Sequence, residues 1–511
     1  GQVVGIVGEA GVGKSRLVAE FRDGLPQEEF TWLEGRCIHY GSAMPYLPIL
    51  DILKTYFSIF EAEREVPIRK RVTEQVLQLD RNLSETLAPL QDLLSLKIEE
   101  DSYRRLEPKQ KKERIFEALR NLFFSLTKNK PLILVIEDLH WIDSSSQAFL
   151  DYIIGWMAKA RIMLVLAYRL EYTHQWGNKS YFTRIGLDQL NLQSSAELVG
   201  AILEGGQAAP ELRDIILNRA AGNPLFMEEL THTLLENGSI QKEEDQYVLS
   251  SQASELQIPE TVQGIIAARI DRLEESLKKI MQVASVIGRE FAFSILQTII
   301  GMQDELKSHL LNLQGLEFIY EKNLFPELEY IFKHALTQEV AYNSLLSKRR
   351  REIHAKIGKA IEDIYADRLE EFYEMLAYHY ARSEKTEQAL HYLKASAKKA
   401  VTKYAPAEAF QFYREALGIL KKMQATEDKK QGCIDIICLM APSMKIKAFP
   451  EDSFQILQDG ENLCRELQDL KSLTILQSHL GSYYSAKGNS VLGMQYQEKA
   501  FEAATQLQNA E

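Results

Sequence analysis

Apolar runs and amphipathic stretches alternate along the first third of the chain. Three runs are almost continuously apolar, which is typical of parallel strands buried on both faces: Val3–Val7, Leu132–Ile136 and Arg161–Tyr168. Phe30–Arg36 predicts one further strand, and the stretches between the runs follow helical periodicity. Strands that alternate with helices predict a mostly parallel α/β sheet with its ligand site at the carboxyl ends of the strands.

From Leu187 onward the pattern is mainly helical. A polar segment at 238–251 predicts a hairpin, and a helical run begins at Ile258-Pro259. Phe318–Tyr320 and Leu328–Phe332 predict a second hairpin, turning near Asn323 and Pro326, and helices followed by a hairpin are the order of a winged helix. We therefore predict an α/β domain at 1–186, an all-α lid at 187–255 and a winged-helix domain at 256–368.

From about residue 370 small and aromatic residues recur along helices. Tyr373, Leu376, Ala377 and Tyr380 follow the large and small spacing of a tetratricopeptide (TPR) unit of about 34 residues, and much of the spacing returns after Leu480. The pattern predicts a TPR-like α-solenoid at 369–511, with a plain helical bundle as the alternative.

The first apolar run ends in a complete phosphate-binding motif. The GxxxxGK[ST] pattern lies between a predicted strand and a predicted helix, which is the context of a Walker A P-loop. Glycines let successive N–H groups point at one anion, and the positive end of the helix adds to that field. The lysine would reach the β- and γ-phosphates and the serine would bind Mg²⁺. The motif consists of Gly8, Glu9, Ala10, Gly11, Val12, Gly13, Lys14 and Ser15.

The strand at 132–136 is followed by two acids, Glu137 and Asp138. Their position fits a Walker B motif, in which one carboxylate holds Mg²⁺ and its neighbour orients the attacking water. By position Glu137 faces the metal and Asp138 the water, and the reverse assignment stays open. Arg169 follows the next strand and is a candidate sensor of the γ-phosphate, with a surface arginine at the sheet edge as the alternative.

Composition narrows the classes of function. The 511 residues carry a net charge of −12 with a pI near 5.5, which argues against broad binding to nucleic acid or anionic membranes. Lys348–Arg351 is the strongest basic cluster, a candidate phosphate contact or simply a solvated helix start. No apolar run approaches the roughly 20 residues that a membrane helix needs, so we expect no membrane span. The sparse cysteines suit reduced thiols in a cytoplasmic protein; they are Cys37, Cys433, Cys438 and Cys464. The chain starts at a core strand without Met, so we expect an excerpt of a longer polypeptide.

The order of these motifs resembles the STAND class of signalling ATPases, and more narrowly the AAA-type ATPases that follow class III adenylate/guanylate cyclase domains in large bacterial proteins. The segments EDLHWID, GNPLFMEEL and FKHALTQEVAY carry the resemblance. It implies that Pro224 contacts the base and that His334 contacts the ADP β-phosphate. Ala335 stands where the Met-His-Asp motif of that class has its aspartate.

Together these features predict a P-loop ATPase that binds ATP or ADP with Mg²⁺, hydrolyses slowly and acts as a switch. The repeats would bind protein partners as a sensor, with nucleotide-dependent self-association as a further expectation. The output domain would lie outside this chain, and the resemblance implies a nucleotide cyclase. Two alternatives are a DNA-binding transcription regulator, disfavoured by the acidic charge, and a nucleotide-binding scaffold without turnover.

Overall fold

The structure is a computed structural model. It describes residues 1–26, 28–38, 44–60, 63–203, 206–243, 246–250, 259–301, 305–323, 328–424 and 426–507. Four segments, named here by their order, organise these residues: the ATPase segment (1–187), the lid segment (190–250), the middle segment (259–364) and the repeat segment (373–507). Within the described residues, no helix is both long enough and apolar enough to cross a membrane.

The ATPase segment is built on a five-stranded, all-parallel sheet in the order β2-β3-β4-β1-β5. Every residue of the third strand is buried, and its side chains alternate between two apolar clusters on opposite faces of the sheet. The strands are β1 (Gln2–Gly8), β2 (Thr31–Arg36), β3 (Leu132–Glu137), β4 (Ile162–Tyr168) and β5 (Phe182–Leu187). The helices are α1 (Lys14–Asp23), α2 (Leu47–Tyr56), α3 (Glu65–Leu79), α4 (Leu87–Leu93), α5 (Asp101–Arg104), α6 (Pro108–Leu126) and α7 (Ser144–Ile154).

The fifth strand is not visible in the sequence pattern. The sequence predicts a helical pattern from Leu187, whereas that residue ends β5, which pairs in parallel with β1. Four of the six β5 residues are exposed, because the strand lies at the edge of the sheet. An exposed edge strand lacks the apolar run that reveals a buried strand, so pairing with β1 decides its conformation.

The lid segment is helical with a small sheet. Its helices are α8 (Leu192–Ile202), α9 (Pro210–Ala220) and α10 (Pro224–Glu236), and its strands are β6 (Gln207–Ala208), β7 (Ile240–Glu243) and β8 (Gln246–Leu249). Strands β7 and β8 pair antiparallel, as the polar pattern at 238–251 predicts, while residues 244, 245 and 251 of that hairpin lie outside the described residues.

The middle segment packs helices against a three-stranded sheet of order β10-β11-β9. Its first helix begins at Val262, where the Thr261 hydroxyl accepts from the Gly264 N–H; Ile258 lies outside the described residues. The turn of the predicted hairpin, with Pro326, also lies outside them. The elements are α11 (Val262–Asp271), α12 (Glu275–Ile287), β9 (Glu290–Ala292), α13 (Phe293–Ile300), α14 (Glu305–Gly315), β10 (Ile319–Asn323), β11 (Glu329–Phe332), α15 (Ala335–Asn343) and α16 (Ser347–Ile364).

The repeat segment is a row of helices in which each helix packs on the next. One apolar core runs without a break from Ile266 in the middle segment to Leu480 in the repeats. The helices are α17 (Tyr373–Ala381), α18 (Thr386–Thr402), α19 (Pro406–Lys422), α20 (Glu427–Ile446), α21 (Ser453–Leu467), α22 (Leu470–Ala486) and α23 (Ser490–Gln506).

Short 3-10 helices also occur at Arg81–Thr86, Leu139–Trp141, Met157–Lys159, Trp176–Asn178 and Ala366–Phe372.

The predicted fold class is confirmed in outline, because a parallel α/β segment precedes a mostly helical remainder. The winged-helix assignment and the exact domain boundaries stay predictions.

Candidate functional site

The P-loop forms an open anion cradle at the carboxyl end of β1. Gly11 and Gly13 adopt φ values of +81° and +101°, a left-handed conformation that favours glycine and turns the loop back into α1. No side chain caps α1, and no acid lies in its first turn. The helix hydrogen bonds start with Leu17 N–H to the Gly13 carbonyl, so the N–H groups before it point toward the loop, as a phosphate site requires.

Lys14 lies folded over this loop. Its Nζ donates to the carbonyls of Gly8 at 2.8 Å and Glu9 at 2.7 Å. Burial and then the charge of Arg169 lower the pKa of Lys14, while Asp138 opposes the change. Glu9 and Glu171 oppose it as well, and the contact of Lys14 with a phosphate stays a prediction.

The two predicted Walker B acids both meet arginines. Glu137, 3% exposed, accepts at Oε2 from Arg36 Nε at 3.2 Å and Nη2 at 2.9 Å. Asp138, in the left-handed region at φ +55°, accepts at Oδ2 from Arg289 Nη1 at 3.0 Å. Of the two acids, Asp138 is the one whose charge raises the pKa of Lys14. This proximity places Asp138 toward the P-loop, while the order of metal and water roles stays a prediction.

Arg36 joins Glu137 to the middle segment, and sequence reasoning missed it. Its Nη1 donates to Glu290 Oε1 at 2.7 Å. Burial disfavours the charged form, but Glu137, Glu290 and Glu34 raise the pKa of Arg36 above its ordinary value. The parallel register aligns Arg36 with Glu137, so a cation at the end of the strand predicted at 30–36 was a usable signal.

Arg169 and His140 lie beside the same edge of the sheet. The Arg169 guanidinium is 5.4 Å from the centre of the Trp141 ring and 4.0 Å from Glu171. Burial and then the Arg169 charge lower the pKa of His140 to about 4, so its imidazole is neutral at pH 7. Both ring nitrogens are buried, without a hydrogen-bond partner within the described parts of the chain. The Arg169 charge acts on Lys14 as well, and its role as a sensor of the γ-phosphate stays a prediction.

The turn before α10 docks directly on the P-loop. Asn223 Nδ2 donates to the Ala10 carbonyl at 3.0 Å, and the Leu225 N–H donates to the Gly11 carbonyl at 3.3 Å. A Cβ at Gly11 would come within 2.8 Å of Leu225 Cβ, so this docking also requires glycine. Pro224 lies between the two contacting residues, which places the predicted base-contacting proline next to the cradle.

His334 lies at the start of α15 and faces α10. Its Nε2 is 3.6 Å from Glu228 Oε2. Glu228 belongs to α10 and lies one helical turn after Pro224. Although burial raises it, the neighbouring His334 and the hydrogen-bonded Lys333 lower the pKa of Glu228 to about 2. Lys333 Nζ lies 2.5 Å from both Glu228 and Glu317, so the middle segment supplies the cation of this cluster. The contact of His334 with an ADP phosphate stays a prediction.

The basic cluster Lys348–Arg351 starts α16. Arg349 lies 2.9 Å from Glu352, and Arg351 lies 3.3 Å from Glu384. Two of its arginines therefore already face carboxylates, as a solvated helix start would.

Two parts of the chain match known protein families. Residues 1–165 match the AAA ATPase domain, and residues 193–247 match a domain of unknown function. The N-terminal part of the chain therefore carries an AAA-type ATPase domain.

The chain is 26% identical over 436 residues to an uncharacterized protein of Rhizobium meliloti (strain 1021), covering 84% of this chain and 41% of that protein. The chain thus spans about two fifths of the length of the curated relative it matches. A STAND protein with a tetratricopeptide repeat sensor from Pyrococcus horikoshii is 13% identical, with 99% of this chain and 75% of that chain covered and a TM-score of 0.42. A chain of the Drosophila ORC structure bound to AT-rich DNA and Cdc6 is 12% identical, with coverages of 67% and 87% and a TM-score of 0.20.

Proposed function

We propose that this chain is an ATP-binding, slowly hydrolysing switch. The observation that carries the proposal is the convergence of three segments on one sheet edge. The P-loop and Walker acids come from the ATPase segment, the Asn223–Leu225 turn from the lid and Arg289 from the middle segment. A nucleotide bound there would touch or neighbour all three, so its phosphates could bias how the segments dock.

The residues present fit a nucleotide with Mg²⁺. The uncapped start of α1 and Lys14 would hold the phosphates, and Pro224 would lie beside the base. Ser15 lies exposed in the first turn of α1, and Glu137 keeps Oε1 free of the Arg36 hydrogen bonds; these two would hold Mg²⁺, which supplies charge neutralisation at the phosphates. Asp138 would accept a proton from, and orient, the attacking water, and Arg169 would sense the γ-phosphate.

In this proposal His334 reports the ADP state through the middle segment. Its neighbour Glu228 belongs to the helix that Pro224 opens, so a shift of α10 with the nucleotide would reach α15. The repeats would bind a protein partner on their stacked helices. The proposal also includes a cyclase output, self-association and a cytoplasmic location. These three parts rest on the resemblance and the composition.

Lys14→Ala should weaken ATP binding about tenfold to more than a hundredfold, because charged contacts of this kind contribute about 1.5–3 kcal/mol each. Titration of the purified chain with a fluorescent ATP analogue measures the loss. Lys159→Ala, at an exposed lysine of the same segment, is the matched control and should bind as wild type does. Equal affinity in the Lys14 variant would reject the nucleotide site. Steady-state phosphate release by wild type separates a slow ATPase from a scaffold without turnover.

A further inference from the structure

Two adjacent residues of the middle segment are linked to the two Walker acids, one directly and the other through Arg36. Arg289 Nη1 donates to Asp138 at 3.0 Å, and Glu290 accepts from the same Arg36 guanidinium that holds Glu137. Arg289 thus meets an acid of the ATPase segment, and Glu290 meets a base of that segment. The two segments therefore present opposite charges to each other at both positions. Lys322 pairs with the remaining oxygen of Glu290, so this docking contact is charge-matched on both sides.

The backbone of the middle sheet holds Arg289 in place. Its carbonyl accepts from the Phe332 N–H at 2.9 Å, and Glu290 lies in register with Ile331. The side chain is 17% exposed, and its Nε has no partner within the described residues. Burial and the charge of Arg36 lower the pKa of Arg289, while Asp138 opposes them. Glu137 and Glu290 oppose them as well, and Asp138 is the carboxylate that accepts a hydrogen bond from the Arg289 guanidinium.

Arg289 contacts one of the Walker acids directly, through the hydrogen bond from its Nη1 to Asp138. The charge of Asp138 acts on Lys14 and His140 as well as on Arg289. The groups that act on Arg289 are Arg36, Asp138, Glu137 and Glu290, all around the Walker acids. Its contact with Asp138 suits a positioning residue, which acts through that acid.

The geometry points to Arg289 as a latch that couples a divalent cation at the Walker acids to docking of the middle segment. The inference rests on the proposed nucleotide site and names its regulation. A cation bound at these acids offsets the negative charge that attracts the guanidinium, so docking weakens. Linkage is reciprocal, so the docked arginine must weaken cation binding by the same factor.

The test measures the Mg²⁺ concentration that half-saturates binding of a fluorescent ATP analogue to the full chain. Arg289→Gln should lower that concentration at least fivefold, within the range typical of coupled sites, and should make the middle segment more susceptible to limited proteolysis. Arg289→Lys keeps the charge and should restore most of the wild-type values. Arg272→Gln, at an exposed arginine of the same segment, should match wild type.

A second measurement needs no variant that must fold. Small-angle scattering of wild type should show expansion with Mg²⁺ and ATP, and a compact particle with ATP and a chelator. An unchanged half-saturating Mg²⁺ concentration in an Arg289→Gln protein that still binds ATP would overturn the latch alone. Loss of Mg²⁺-free ATP binding in that variant would also overturn the latch, because Arg289 would then be a nucleotide contact. Equal compactness of wild type under both scattering conditions would overturn it as well. Wild type that binds no ATP would overturn the proposed function itself.

Discussion

The ATPase segment meets the middle segment and the repeat segment at two buried polar contacts of opposite character. At the middle segment each buried charge has a partner of opposite sign: Arg289 meets Asp138, and Arg36 meets both Glu137 and Glu290. Such a contact is held by Coulomb attraction and by hydrogen bonds between charged groups. Its strength must therefore depend on the charges nearby, including any that a nucleotide brings.

At the repeat segment the contact instead brings two carboxyl groups together. Glu408 of α19 accepts from the Ser145 N–H at the start of α7 at 2.9 Å. Asp143, which caps the same helix, accepts from the N–H groups of Tyr46 and Ser146 at 2.9 and 2.8 Å. Both acids are 1% exposed, and each keeps one oxygen without a partner within the described residues. Burial and the neighbouring Glu408 raise the pKa of Asp143 to about 7.

A lysine also lies at the repeat contact, and within the described residues it forms no ion pair with a carboxylate. Lys403 Nζ donates to the Leu93 carbonyl at 3.2 Å and to Ser95 Oγ at 3.0 Å. Burial and then Lys399 lower the pKa of Lys403 to about 8. The contact with the middle segment buries paired opposite charges, so we expect it to respond to ions. The contact with the repeat segment buries groups for which burial favours the neutral form, so we expect it to respond to protons.

The largest effect is expected from removing a matched charge. Arg36→Ala should lower the free energy of unfolding by about 3–5 kcal/mol, because it leaves the buried Glu137 without its cation, while Glu290 keeps its pairing with Lys322. Urea denaturation measures the change. Arg16→Ala is the control, since Arg16 pairs with Glu20 on the surface at 80% side-chain exposure, and it should change stability by less than about 1 kcal/mol. A similarly small loss for Arg36 would show that the charge-matched contact contributes little.

The next effect concerns protons at the repeat contact. The folded-state pKa of Asp143 is raised to about 7, above the unfolded value near 4. The folded protein therefore holds the extra proton between these values, and stability falls as pH rises from about 4 to about 7. Asp143→Asn keeps a helix cap and removes this loss, so it should be more stable than wild type at pH 8, by about 1–4 kcal/mol.

Thermal unfolding at pH 5 and pH 8 measures the difference between Asp143→Asn and wild type. Asp469→Asn is a control of opposite sign. Asp469 caps α22 through the Ser472 N–H at 3.0 Å. Although burial opposes it, hydrogen bonds from Ser472 and Gln431 lower its pKa, so its charged form stabilises the fold and is lost at acid pH. If the two substitutions changed thermal stability in the same direction at each pH, the two aspartates would not lie in environments that shift their pKa values in opposite directions.

The smallest effect is expected from salt. Raising NaCl from about 0.1 to 1 M shortens the screening length from about 10 to 3 Å. This should weaken the partly exposed Arg289–Asp138 contact by about 1 kcal/mol or less, and the repeat contact should hardly change. Amide hydrogen exchange compares β9 with the start of α19 at both salt concentrations. Equal acceleration at the two places would remove the distinction between them.

The sequence predicts the elements of the site well and their neighbours poorly. The strand–loop–helix context of Gly8–Ser15 locates the phosphate cradle, because glycine spacing and apolar flanks are local properties. Glu137 and Asp138 were found the same way, as polar residues that end a buried strand. Arg289 and Glu290 carry no local signal, since an arginine and a glutamate after a helix resemble any surface turn.

By itself, then, the sequence determined the buried strands and most helices, the glycine-rich turn of the P-loop and the two acids that end β3. These follow from periodicity and from backbone freedom at glycine, which depend on near neighbours in the chain. Tertiary structure alone decided that Phe182–Leu187 is a strand, that Asn223 closes on the P-loop and that Arg289 neutralises Asp138. Each of these contacts joins residues more than a hundred positions apart, and its energy exists only once packing brings the two partners out of water together.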